Sequence, residues 1–100
     1  MRMSITARHC AVPEELRSRA EAVVTKAATM AHRPQRAEVV FDATGGRKAV
    51  ELHLFMPRGR VKVATAEGED FRSALDAAVA KLRNQLGKSE RHGARRALSD

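Results

Sequence analysis

The sequence predicts a two-layer α+β domain with the element order β-α-β-β-β-α. Three observations carry this. Apolar and polar residues alternate in three short segments and a fourth is rich in Val and Thr, apolar residues recur at helical spacing in two longer ones, and glycine or proline punctuates most of the joints.

Residues 2–8 alternate, with Met3, Ile5 and Ala7 on one face and Arg2, Ser4, Thr6 and Arg8 on the other. That is a half-buried strand whose polar outer face suits an antiparallel sheet. His9 to Val12 form a connection. Pro13 then stands where a first helical residue is allowed, because its missing N–H would be unpaired there, and Glu14 and Glu15 suit the positive end of the helix dipole. Leu16, Ala20, Val23, Val24, Ala27, Met30 and Ala31 make an apolar stripe, which predicts a first helix over Pro13–Ala31. Glu15 and Arg19 are spaced as an i,i+4 ion pair, worth a few tenths of a kcal/mol. Arg19 and Lys26, seven apart, share one flank.

Pro34 breaks this helix. Residues 37–44 alternate again, Gly45-Gly46 is a two-residue turn, and residues 47–56 place Val50, Leu52, Leu54 and Met56 on one face. The pair is a hairpin. Pro57-Arg58-Gly59 makes the next turn, and residues 60–66, rich in Val and Thr, are a fourth strand. Asp70 is a plausible N-cap for a last helix whose stripe is Phe71, Ala74, Leu75, Ala78, Leu82 and Leu86, and Gly87 stands where a C-terminal glycine cap belongs. Three strands on short turns form a meander. The first strand returns through a helix to lie beside it, and both helix stripes cover one face of the four-stranded sheet. Residues 1–87 are thus expected to form the domain. Residues 88–100 lack any apolar period and are expected to be a short, flexible basic tail.

The charge balance is the strongest global signal. Nineteen Lys and Arg stand against twelve Asp and Glu, a net charge of +7. A small basic domain points to a polyanion, and fourteen arginines favour forked contacts to phosphate. Cys10 is the single cysteine, so no internal disulfide or cysteine-based metal site can form, which fits a reducing cytoplasm. No apolar run follows Met1 and no stretch has the length of a membrane span, so neither a secretory signal nor a membrane partner is expected.

No catalytic constellation stands out. His9, His32, His53 and His92 lack metal-ligand spacing, the glycines belong to turns rather than a phosphate loop, and the serines have no nearby base. Neither an enzyme nor a small-molecule substrate, metal or cofactor is expected. The cationic surface remains. Arg8, Arg19, Lys26, Lys81, Arg83 and Lys88, with Arg91, Arg95 and Arg96 in the tail, are the candidate phosphate contacts. Lys81 and Lys88 fall on one flank of the last helix, and Arg72 and Arg83 on the other. Without Tyr or Trp, a base-stacking platform is not expected. Charge alone leaves open a double-stranded RNA-binding module and a protein-interaction regulator.

Ala64-Thr65-Ala66-Glu67-Gly68, followed by Glu69-Asp70-Phe71-x-x-Ala74-Leu75-Asp76 and then Lys81-Leu82-x-x-Gln85-Leu86, resembles the ribosome hibernation promoting factor family, also called ribosome-associated inhibitor A. Ile5-Thr6-Ala7-Arg8 and Leu16-Arg17 fit it too, and the elements match in order over nearly the whole chain. The resemblance implies a fold similar to double-stranded RNA-binding domains. It implies binding in the channel of the small ribosomal subunit, where messenger and transfer RNA would lie, and a block of translation during stress or stationary phase. The family's basic helix positions correspond to Lys26, Lys81 and Lys88, whereas Val23, Arg72, Ala80 and Asn84 depart from the family's usual residues. The chain is expected to act as a short form, without the second domain that pairs ribosomes in long members. That leaves room for a second hibernation factor as partner.

Overall fold

The computed structural model describes the backbone of residues 1–99 and the side chains of residues 1–87. Its elements are β1 (Arg2–Arg8), α1 (Glu14–Ala28), β2 (Arg36–Thr44), β3 (Arg47–Met56), a 3₁₀ turn at Pro57–Gly59, β4 (Arg60–Gly68) and α2 (Phe71–Ser99). The sheet order is β1-β2-β3-β4. The meander is antiparallel, as expected, but β1 pairs with β2 in parallel, because α1 carries the chain back before β2 begins.

Both turns of the meander use left-handed backbone. Gly45 and Gly46 have φ of 62° and 78°, the pair of positive values that a type I′ hairpin demands. Between β3 and β4 the left-handed residues are Arg58 (φ 67°) and Gly59 (φ 71°).

One layer of side chains closes the core. Val39, Phe41, Val50, Leu52 and Leu54 of the sheet meet Leu75, Ala78 and Leu82 of α2 and Ala20, Val24 and Ala27 of α1, all essentially without solvent exposure. The Phe41 and Phe71 rings meet edge to face, 5.4 Å apart at 89°. The alanines on both helices let the backbones approach closely, so a core with few aromatics still packs without a buried unsatisfied side-chain polar atom among the described residues.

Three helix boundaries differ from the sequence-based expectation. Pro13 is the N-cap of α1 rather than its first turn, with extended backbone (ψ 152°) and no side chain to cap with. The α-helix ends at Ala28, not Ala31, because Thr29 turns back: its hydroxyl donates to the Lys26 carbonyl at 2.6 Å. The N–H groups of Thr29, Met30 and Ala31 then bond three residues back, the tighter 3₁₀ pattern. Gly87 does not end α2, whose backbone continues to Ser99. A glycine stops a helix when it turns left-handed, and Gly87 is not among the positive-φ residues.

Candidate nucleic-acid interface

The helices start at the same end of the sheet and run side by side. Arg19 of α1 grips Asp76 of α2 with a forked pair of bonds, 3.0 and 3.1 Å from Nη2, and a third at 3.3 Å from Nε. This replaces the local Glu15–Arg19 pair expected from spacing. The two residues are 57 apart in sequence. Met30 and Gly87, also 57 apart, meet farther along: a Cβ added at Gly87 would stand 3.8 Å from the Met30 methyl. Lys26 lies seven residues after Arg19 and Arg83 seven after Asp76, so helical periodicity puts these exposed cations on the flanks of α1 and α2 that carry the Arg19–Asp76 pair. Arg19–Asp76 bounds the Lys26–Arg83 site on one side and Met30–Gly87 on the other.

On its far flank, α2 leans over the sheet edge. Lys81 Nζ donates to the Thr65 carbonyl at 2.8 Å, and Gln85 Nε2 donates to the Val63 carbonyl at 2.8 Å. Those carbonyls belong to β4, an edge strand whose outward groups would otherwise be open to another chain. Lys81 is therefore held in place, and its exposed ammonium keeps donors for an incoming phosphate. Gln85 entered the sequence reading only as a matching residue; its edge-capping role needed β4 to be placed beside α2.

The candidate residues thus divide. Lys26 and Arg83 lie on the facing flanks of α1 and α2, Lys81 lies on the β4 flank, and Arg19 is committed to Asp76. Arg8 is separated from them. It shares the helix-free face of the sheet with Arg2, Ser4 and Thr6, and pairs in register with Asp42. The Asp42 pKa is lowered, first by its hydrogen bond to His9 (3.1 Å), with Thr44 donating a second at 2.9 Å. Lys88, Arg91, Arg95 and Arg96 lie outside the residues whose side chains are described. Among the described residues, no group of three metal-ligating side chains converges, and no helix is long and apolar enough to cross a membrane.

Residues 3–92 match the model of the family described as sigma 54 modulation protein / S30EA ribosomal protein. The chain belongs to that family. Its description names a sigma 54 modulation protein and a ribosomal protein. The fold is also that of two solved structures. A ribosomal subunit interface protein from Coxiella burnetii superposes with a TM-score of 0.82 at 22% identity, covering 90% of this chain and 98% of its own. The N-terminal domain of Protein Y from Thermus thermophilus gives 0.73 at 21% identity, covering 85% and 93%. No curated protein matches the sequence.

Proposed function

We propose that this chain binds the small ribosomal subunit through ribosomal RNA, lodges in the channel for messenger and transfer RNA, and blocks translation during stress or stationary phase. Family membership supports association with the ribosome. The observation that carries the RNA contact is the Arg19–Asp76 pair, whose register puts Lys26 and Arg83 on the facing flanks of the two helices. Two exposed like charges on facing helix flanks repel, and an anion between them relieves that repulsion. A phosphodiester fits this need, and Lys81 supplies a further contact from the other flank of α2. Lys88, Arg91, Arg95 and Arg96 extend the same helix toward RNA in this reading. Occupancy of the channel requires no chemistry, so the protein acts as a non-enzymatic factor in the cytoplasm, and a second hibernation factor can act beside it.

Co-sedimentation with purified small subunits at rising salt tests this. Binding should be tight at low salt and fall steeply as salt rises, because each phosphate contact releases counterions. Absence of binding at low salt would refute it. Equally tight binding to a plain RNA duplex would favour a general double-stranded RNA-binding module instead.

A further inference from the structure

The pairing register builds a second cationic surface away from the helix groove, at the end of the sheet where β1 and β2 begin. Arg2 pairs with Arg36, Arg36 with Phe55 and Phe55 with Val61, so these four side chains form one row across the helix-free face. Adjacent strands are about 4.8 Å apart, which makes the row roughly 14 Å long. Arg60, paired with Met56, and Arg58 of the 3₁₀ turn stand beside its end. Arg33 precedes β2, tied to this end through Gln35, whose N–H donates to the Phe55 carbonyl at 2.9 Å and whose carbonyl accepts from the Arg2 N–H at 3.2 Å. Five arginines from three stretches of the chain therefore lie at this end of the sheet, Arg60 on the Met56 side rather than the Phe55 side, with Glu38 the acid paired to Arg36. At the opposite end of the sheet acids and cations are mixed: Glu14, Glu15, Asp42, Glu67, Glu69 and Asp70 stand with Arg8, Lys48 and Arg72, and Arg47 pairs with Glu67 at 2.8 Å.

Two details show that this end is more than a solvated rim. The Arg36 guanidinium lies over the Phe55 ring, 4.1 Å from its centroid, with Glu38 holding one nitrogen at 3.2 Å. His53 stacks near Phe55 at 6.2 Å and 15°, so a small aromatic platform exists despite the absence of Tyr and Trp. The described chain has three non-glycine residues with positive φ, His9, Arg33 and Arg58, and the two arginines are both here. Left-handed backbone is sterically unfavourable for arginine, and Arg33 also precedes Pro34. Such strain points to a role for the side chain rather than for the turn.

We propose that this arginine-rich end of the sheet is a second RNA contact. Arg2, Arg33 and Arg58 take phosphates of one strand, and an unpaired base stacks against the Arg36–Phe55 platform. The proposal rests on the ribosome-binding reading and adds that the protein is held between two RNA segments, one in the helix groove and one at the sheet end.

The strain supplies a clean test. Asparagine accepts left-handed backbone more readily than arginine, so the Arg33→Asn/Arg58→Asn variant should melt at the same temperature or higher. Its affinity for small subunits should nonetheless fall, with the slope of log affinity against log salt shallower by about 2. The Arg33→Lys/Arg58→Lys variant should recover part of the binding, since it restores the charge and not the fork. Ultraviolet cross-linking of the bound protein should leave a nucleotide on the Phe55 peptide. Unchanged affinity and slope in the asparagine variant, while the wild type binds, would overturn the proposal and leave the ribosome-binding reading standing. So would a loss that lysine does not restore, or cross-links from Phe55 to ribosomal protein alone. Failure of the wild type to bind at low salt would overturn both.

Discussion

Arg19 and Asp76 set the register of the two helices. Their forked pairing fixes which residue of α1 faces which residue of α2, and it removes one cation from the surface offered to RNA. Both side chains are partly exposed, 35% and 46%, so the bridge is worth about 1 kcal/mol at most. Asp76→Asn should lower the melting temperature by only a few degrees while freeing Arg19. Small-subunit affinity should then rise at low salt, as co-sedimentation would show.

Reversing the facing cations should do the opposite. Lys26→Glu/Arg83→Glu places two carboxylates where the phosphate is expected, without touching the buried stripe. Binding to small subunits should be lost, with the far-ultraviolet circular dichroism spectrum unchanged. If binding persists, the contact lies elsewhere, on the Lys81 flank or beyond Gly87.

Gly87 offers a test of helix continuity. In a continuing helix, Gly87→Ala should stabilise the protein by roughly 0.5–1 kcal/mol. The new methyl would meet the Met30 methyl at 3.8 Å, an ordinary contact. Were Gly87 a left-handed cap, the same change would destabilise. Urea denaturation of the two proteins distinguishes these outcomes.

Asp70 caps α2 through the Ser73 N–H, which donates to its carboxylate at 2.7 Å and is the main cause of its lowered pKa. A carboxyl with a folded-state value below the ordinary 3.8 adds stability above that pH, lost as pH falls through the folded value. Asp42 contributes in the same direction. Urea midpoints should therefore fall on acidification below about pH 4. In Asp70→Asn, whose amide oxygen still caps at any pH, that fall should be smaller.

Phe41 is fully buried against Phe71 in a core with only two phenylalanines. Phe41→Ala should cost about 3–5 kcal/mol, a large share of the 5–15 kcal/mol typical of a domain. A melt followed by circular dichroism should show a much lower transition or a partly unfolded chain at room temperature.

Local pattern made much of this legible. Alternation predicted three strands, Val and Thr content the fourth, and the Gly45-Gly46 pair the hairpin. Asp70 marked the start of α2. Each depends on backbone and side chains a few residues apart, so the information is contiguous. Where short-range rules failed, a distant group had intervened. Glu15 lost Arg19 to Asp76, which lies on another helix. Gly87 has the chemistry of a stop signal, but its conformation remained helical beside Met30. Thr29, a weak cue in sequence, ended α1 by bonding back to Lys26.

The sequence by itself determined the element order, the two-layer architecture, the faces that are buried and the net positive charge, because periodicity and composition act along the chain. Only the tertiary structure decided which cations act together. It tied Arg19 to Asp76, put Lys26 and Arg83 on the helix flanks beside that pair, and brought Arg2, Arg33, Arg36, Arg58 and Arg60 to one end of the sheet. Those groupings follow from helix register and strand pairing, which join residues tens of positions apart and leave no trace in any local spacing.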